Sequence, residues 1–184
     1  MARVVLGLTV SVDGYIAGPN DDLKRLHQWI FEGAEDNGAV LGELMSTMGA
    51  AVMGRRMYTF AEAFGVFEDD SFTIPQFVVT HSVPEKVPTK GPKFTWVHDG
   101  VASAVEQAKK VAGDLNTVIM GGANIAQQAI NLGLVDELNI SEVGVILGDG
   151  IKLWDNIDLR DVELERTGVL ENTGVTHLRY NVVR

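Results

Sequence analysis

Two glycines directly behind an apolar run are the strongest chemical signal in the chain. In Val118-Ile119-Met120-Gly121-Gly122-Ala123-Asn124-Ile125, a predicted buried strand runs into Gly121-Gly122 and then into a helix. Adjacent glycines permit backbone dihedrals barred to other residues and put no side chain in a ligand's way. The helix amides behind them lack intrahelical partners and favour anions, so a pyrophosphate fits there. A tight strand-to-helix turn with no ligand also accounts for these residues. The motif is not a Rossmann fingerprint, because G-x-G-x-x-G is absent and the pair falls late in the chain.

Three further segments carry candidate chemistry. Val52-Met53-Gly54-Arg55-Arg56-Met57-Tyr58 repeats the strand-then-glycine pattern and adds two guanidinium groups at a predicted helix start. Arginine suits phosphate because its donors are planar and permanently charged, although a solvated charge pair reads the same way. Phe77-Val78-Val79-Thr80-His81-Ser82 ends a strand in three polar side chains that could take the 2′-phosphate of NADPH or simply line a loop. Ser11-Val12-Asp13-Gly14-Tyr15-Ile16-Ala17 leaves the first strand, and Asp13 is either a functional acid or the residue that fixes the turn.

The elements that must hold these segments follow from apolar spacing. Strands are predicted at Val4 to Val10, Ala50 to Met53, Gln76 to Thr80, Phe94 to Val97, Thr117 to Met120 and Asp136 to Val145. Helices are predicted at Leu23 to Phe31, Val40 to Met48, Arg55 to Phe64, Val101 to Ala112 and Ala123 to Leu132, with Glu32 to Gly38 as exposed loop. Val162 to Thr167 and Val175 to Val183 form a predicted antiparallel pair. The pattern predicts one α/β domain, a mixed, mostly parallel sheet with an antiparallel C-terminal edge. Each candidate segment lies past the carboxyl end of a predicted strand, where open α/β sheets bind ligands.

Composition narrows the function. The 184 residues suffice for one domain with a core. With no cysteine, disulfides, thiolate metal sites and cysteine nucleophiles are excluded. The four histidines, at 27, 81, 98 and 177, show no metal-ligand spacing, so no metal is expected. A net charge of −10 argues against nucleic acid and anionic membranes as partners. The apolar start is too short for a signal peptide, and no run is long enough to span a bilayer, so a cytoplasmic location is expected. There is no P-loop and no nucleophile elbow.

Taken in order, these segments resemble the dihydrofolate-reductase-like superfamily. They look closest to the branch of the C-terminal reductase domain of the bifunctional riboflavin-biosynthesis deaminase-reductase. The likeness covers nearly the whole chain and includes Asp136-Glu137-Leu138 and Leu147-Gly148-Asp149-Gly150. It implies a three-layer α/β/α domain with NADPH across the strand ends. By resemblance, Gly54, Arg55 and Arg56 meet cofactor phosphates, and Thr80, His81 and Ser82 lie near the 2′-phosphate. Gly121, Gly122, Ala123, Asn124 and Ile125 wrap the pyrophosphate, and Ile16 and Ala17 border the nicotinamide. It also implies a homodimer and a small-molecule substrate of the 5-amino-6-(5-phosphoribosylamino)uracil type.

Two departures qualify the likeness. The chain carries no deaminase domain and no zinc motif for one. The folate-binding acid of the superfamily has only a loosely placed counterpart in Glu32. Hydride transfer from NADPH to a carbonyl or imine carbon is the leading reading, with Asp13, Glu43, Tyr58 or water as the proton source. Trp29 and Phe31 could stack on a flat heterocycle, or pack the core. The alternatives are a pterin reductase and a non-catalytic NADP- or flavin-binding protein of the same fold.

Overall fold

The computed structural model describes residues 2–31, 34–68, 72–158 and 162–183, excluding the side chains at 31 and 34–36. Strand β1 (Val4–Ser11) lies in the middle of the sheet because its residues are apolar on both faces. Val4 and Leu6 enter one core, and Val5 enters the other. Its neighbours β6 (Asn116–Ile119) and β7 (Glu137–Val143) both run parallel to it. Strands β3 (Met48–Gly54), β4 (Gln76–Val79) and β5 (Phe94–Val97) continue the parallel sheet beyond β6. On the other side β10 (Val175–Val183) pairs antiparallel with β7, and β9 (Glu163–Asn172) pairs antiparallel with β10. The resulting order is β5-β4-β3-β6-β1-β7-β10-β9.

Helices cover both faces. On one, α4 (Val101–Ala112) and α5 (Ala123–Asn131) bury Val101, Ala104, Val105, Ile125 and Ala126 against Leu6, Val52, Phe77 and Ile119. The other carries α1 (Lys24–Phe31), α2 (Ala34–Thr47) and α3 (Arg55–Ala63). Leu44 of α2 packs on Val5, Met48, Ala51 and Val118, while Leu41 joins Trp29, Val143 and Val175. Between these contacts the sheet carries polar side chains, and a cleft opens there.

A second, two-stranded sheet joins β2 (Tyr15–Ala17) to β8 (Ile151–Lys152). The Leu153 amide donates to the Gly14 carbonyl, and Gln127 Nε2 donates to the Leu153 carbonyl at 2.9 Å. The loop after β1 is thereby fastened to the loop after β7. No helix among the described residues is long and apolar enough to cross a membrane.

The predicted α/β class and antiparallel C-terminal edge hold. Three boundaries move. Helix α2 starts at Ala34, inside the predicted loop, and its buried Asn37 donates Nδ2 to the Trp29 carbonyl at 2.9 Å. Strand β3 starts at Met48, and an irregularity between Met48 and Ala50 breaks the alternation that would have marked it. Strand β9 runs on to Asn172 although most of it is exposed, because an edge strand is held by backbone pairing to one neighbour.

Candidate functional site

Three helices begin with a glycine cap along one edge of the parallel sheet. They are α3 after Gly54, α4 after Gly100 and α5 after Gly122, and none has a side-chain cap. A Ser or Asp cap would occupy the first amides with its own oxygen, whereas glycine leaves them open to an anion. All three glycines line one cleft of about 1510 Å³. Enclosed ligand sites commonly measure roughly 300–1,000 Å³, so this cleft has room for a dinucleotide and a second molecule.

The glycine loops also touch each other. The Gly54 amide donates to the Gly121 carbonyl at 2.9 Å, and the Met120 amide donates to the Val52 carbonyl at 2.9 Å. Gly121 has φ +104°, and a Cβ there would lie 2.9 Å from Leu8 Cδ2. A Cβ at Gly54 would come within 3.0 Å of Ile125 Cγ1. Gly121 needs glycine for its positive φ, and a Cβ at Gly54 would make Ile125 give way by a few tenths of an ångström.

The two arginines differ. Arg55 Nη1 donates to the Ser82 carbonyl at 3.0 Å, and its guanidinium sits 5.6 Å from the centre of the Tyr58 ring. The Arg56 side chain is 80% exposed, with Asp21 3.8 Å away, and so can swing to a ligand. Thr80 Oγ1 donates to the Ser82 carbonyl at 2.9 Å, and His98 Nδ1 donates to the Thr80 carbonyl at 2.8 Å. The loop from Thr80 to Ser82 is thus pre-shaped, with His81 and Ser82 exposed at its tip. Ile16 and Ala17 on β2 reach the same cleft. Every residue that the resemblance linked to a cofactor, from Ile16 to Ile125, lines it.

The cleft continues under α1 and α2. Its floor there is Asn139 and Ser141 of β7 with His177 and Arg179 of β10, and its roof includes His27, Trp29 and Glu43. Ser141 Oγ lies 2.9 Å from His177 Nδ1, and Trp29 meets the His177 ring edge-on at 5.1 Å. Burial, and then the Arg179 charge, lowers the His177 pKa and keeps the ring neutral. Burial likewise lowers that of His27, whose Nδ1 donates to the Leu23 carbonyl at 3.1 Å.

The expected proton donors do not survive as such. Asp13 lies outside the cleft lining and serves the turn. It accepts from Ser11 Oγ at 2.6 Å and from the amides of Gly148 at 2.7 Å and Leu147 at 3.1 Å. The Ser11 bond first, then those amides, lower its pKa to about 2, so it stays ionised. Tyr58 is fully buried beneath α3 among Phe67, Phe94 and Trp96, and donates to Glu62 Oε1 at 2.9 Å. Burial and Glu62 raise its pKa to about 12. Glu43 does line the cleft, but Arg179 grips both its oxygens, at 2.7 and 3.0 Å, and lowers its pKa. Glu32 lies outside the described residues, as does the side chain of Phe31.

Sequence comparison then settles the relationship, because a model of the RibD C-terminal domain family matches residues 2–178. The chain belongs to the RibD C-terminal domain family. A putative riboflavin biosynthesis protein from Shewanella sp. PV-4 shares its fold with TM-score 0.77 and 22% identity, over 99% of each chain. The diaminohydroxyphosphoribosylaminopyrimidine deaminase/5-amino-6-(5-phosphoribosylamino)uracil reductase of Thermotoga maritima matches with TM-score 0.66 and 13% identity, over 99% of this chain and 57% of that one. Dihydrofolate reductase from Enterococcus faecalis, in complex with NADP(H), matches with TM-score 0.61 and 17% identity, over 99% and 97%. The chain therefore has the dihydrofolate-reductase-like fold that its motifs implied.

Several residues of the cleft carry no mark in the sequence. Gly100 follows an ordinary loop, so nothing marked it as a third open cap. Asn139, Ser141 and His177 lie in β-strands whose alternation is visible, but alternation does not tell an outward polar face from a cleft floor. Only the pairing of β7 with β10, which puts His177 opposite Ser141, brings them together.

Proposed function

We propose that this member of the family is an NADPH-dependent reductase acting on a small flat substrate of the 5-amino-6-(5-phosphoribosylamino)uracil type. The observation that supports it most is the set of three uncapped helix starts, at Gly54, Gly100 and Gly122, along a single cleft. Their amides favour the phosphates of a dinucleotide. Arg56, exposed and weakly paired, is placed to meet an additional phosphate, and the loop from Thr80 to Ser82 offers it further donors.

Bound NADPH supplies a hydride. The protein's own part is to hold and to shield. Ile16 and Ala17 on β2 give an apolar wall, and the bonds from Leu153 to Gly14 and from Gln127 to Leu153 keep it closed. The second half of the cleft, lined by His27, Trp29 and His177, is where a planar ring would sit. With Asp13 and Glu43 ionised and Tyr58 buried away, the proton for the reduced substrate comes from water.

Fluorescence titration with NADPH and NADH tests the cofactor assignment. We expect micromolar affinity for NADPH and weaker binding of NADH. Absence of binding below millimolar concentration rejects it. A panel of pyrimidines, pterins and carbonyl compounds, scored by oxidation of NADPH, tests catalysis. If NADPH binds and no compound oxidises it, the domain is a binding protein.

A further inference from the structure

We propose that Trp29, Asn139 and His177 set substrate specificity by reading the edge of an uncharged heterocycle that presents two carbonyl oxygens and one N–H. This rests on the reductase reading, since it concerns the substrate half of the same cleft. Trp29 and His177 are only 7% and 6% exposed, yet Trp29 Nε1 and His177 Nε2 have no hydrogen-bond partner. Asn139 Oδ1, also buried, has none either. All three residues line the cleft. Buried polar atoms in folded proteins are nearly always paired, and three orphans on one cleft mark a place where a ligand completes the bonding.

The chemistry of the three atoms defines that ligand. Indole Nε1–H can only donate, and an amide oxygen can only accept. A neutral imidazole has one donor and one acceptor nitrogen. The Ser141 contact at 2.9 Å admits either tautomer; we take the Ser141 hydroxyl to donate to Nδ1, which leaves the proton on Nε2 and makes it a second donor. Two donors and one acceptor complement an imide edge, in which an N–H lies between two carbonyls.

Charge among the described residues favours this edge over the opposite one. A diamino heterocycle protonates readily and needs a free carboxylate to hold it. Four carboxylates among the described residues line the cleft. Glu43 is held by Arg179, Glu137 by Arg3 at 2.7 Å, and Asp21 faces Arg56. Asp155 is exposed. Among the described residues none is free beside Trp29 and His177, and burial lowers the His177 pKa.

A matched pair of ligands tests this on the full chain. Pteridine dione and diaminopteridine share a ring system and differ in the edge at issue. Calorimetry with each, at saturating NADPH, is expected to show the dione bound at least about tenfold more tightly. Trp29→Phe deletes only the N–H, and should erase most of that preference while leaving NADPH affinity unchanged. His177→Leu should do the same, and Ser141→Ala, which frees the ring's tautomer, should narrow it if His177→Leu does not fold. The proposal is overturned if the wild type prefers the diamine, binds both alike or binds neither, or if Trp29→Phe keeps full preference for the dione. Failure of the cofactor reading is separate: NADPH itself then fails to bind, and the two ligands compared without it still decide the edge.

Discussion

The amide of Gly54 donates to the carbonyl of Gly121 at 2.9 Å, so the turns that open α3 and α5 are bound into one piece. Two helix starts on the cleft thus keep a fixed spacing, set by backbone rather than by side chains. Pre-organisation of this kind reduces the ordering cost of binding a flexible dinucleotide.

The two glycines after β6 should respond differently to substitution. Gly121→Ala places a methyl 2.9 Å from Leu8 Cδ2 on a backbone with φ +104°. It is expected to destabilise the fold by about 1–2 kcal/mol or more, from the left-handed backbone alone. Gly122 has φ −78°, and a Cβ there meets nothing within 4 Å. Gly122→Ala should therefore melt near the wild-type temperature but, if the proposed pyrophosphate site is here, weaken NADPH at least about tenfold, because its methyl enters the cleft. Thermal melts and NADPH titration of both variants check this. Wild-type NADPH affinity in Gly122→Ala would remove this loop from the cofactor site.

The arginines should also separate. Arg56→Ala removes an exposed cation, so stability should hold while NADPH weakens by about ten- to a hundredfold and NADH by much less, as expected for a lost phosphate contact worth roughly 1.5–3 kcal/mol. Arg55→Ala also removes the bond to the Ser82 carbonyl and the contact with Tyr58, so stability and binding should fall together. Equal losses for both cofactors in Arg56→Ala would move that side chain to the pyrophosphate.

Tyr58→Phe separates structure from catalysis. The hydroxyl bonds Glu62 under α3 and takes no part in the cleft lining. Its removal should cost about 1 kcal/mol of stability and leave kcat and KM as they are. A large fall in kcat with an unchanged melting temperature would return Tyr58 to the reaction.

Much of this architecture is legible in the sequence because buried parallel strands are continuous apolar runs. Val4 to Val10 and Thr117 to Met120 announce themselves, and the glycines behind β3 and β6 mark the sheet edge that carries the cleft. The substrate half is not legible, for three physical reasons. Glu43 and Arg179 meet across 136 positions of sequence, so their mutual neutralisation has no local sign. Tyr58 sits in a helix whose opening arginine pair suggests a surface, while its own ring faces the core. Asp13 fits a turn and an active site equally well until the amides of Leu147 and Gly148 are seen to converge on it.

That convergence makes the loop after β1 sensitive to acid. The pKa of Asp13 falls from 3.8 to about 2 in the folded chain, first through Ser11 Oγ and then through the two amides. A carboxylate with a depressed folded pKa stabilises the fold above its unfolded pKa, and this contribution is lost as the pH falls through the folded value. The window therefore runs from about pH 4 down to about pH 2, and neutral conditions lie on its plateau. NMR of the Leu147 and Gly148 amides should show a titration with its midpoint near the lower limit. Asp13→Asn should abolish it, loosen β2 against β8 at every pH, and leave NADPH binding at neutral pH within about twofold, since Asp13 fastens the loop without touching the cleft. A midpoint near 3.8 in the wild type would mean that the three donors do not hold the carboxylate.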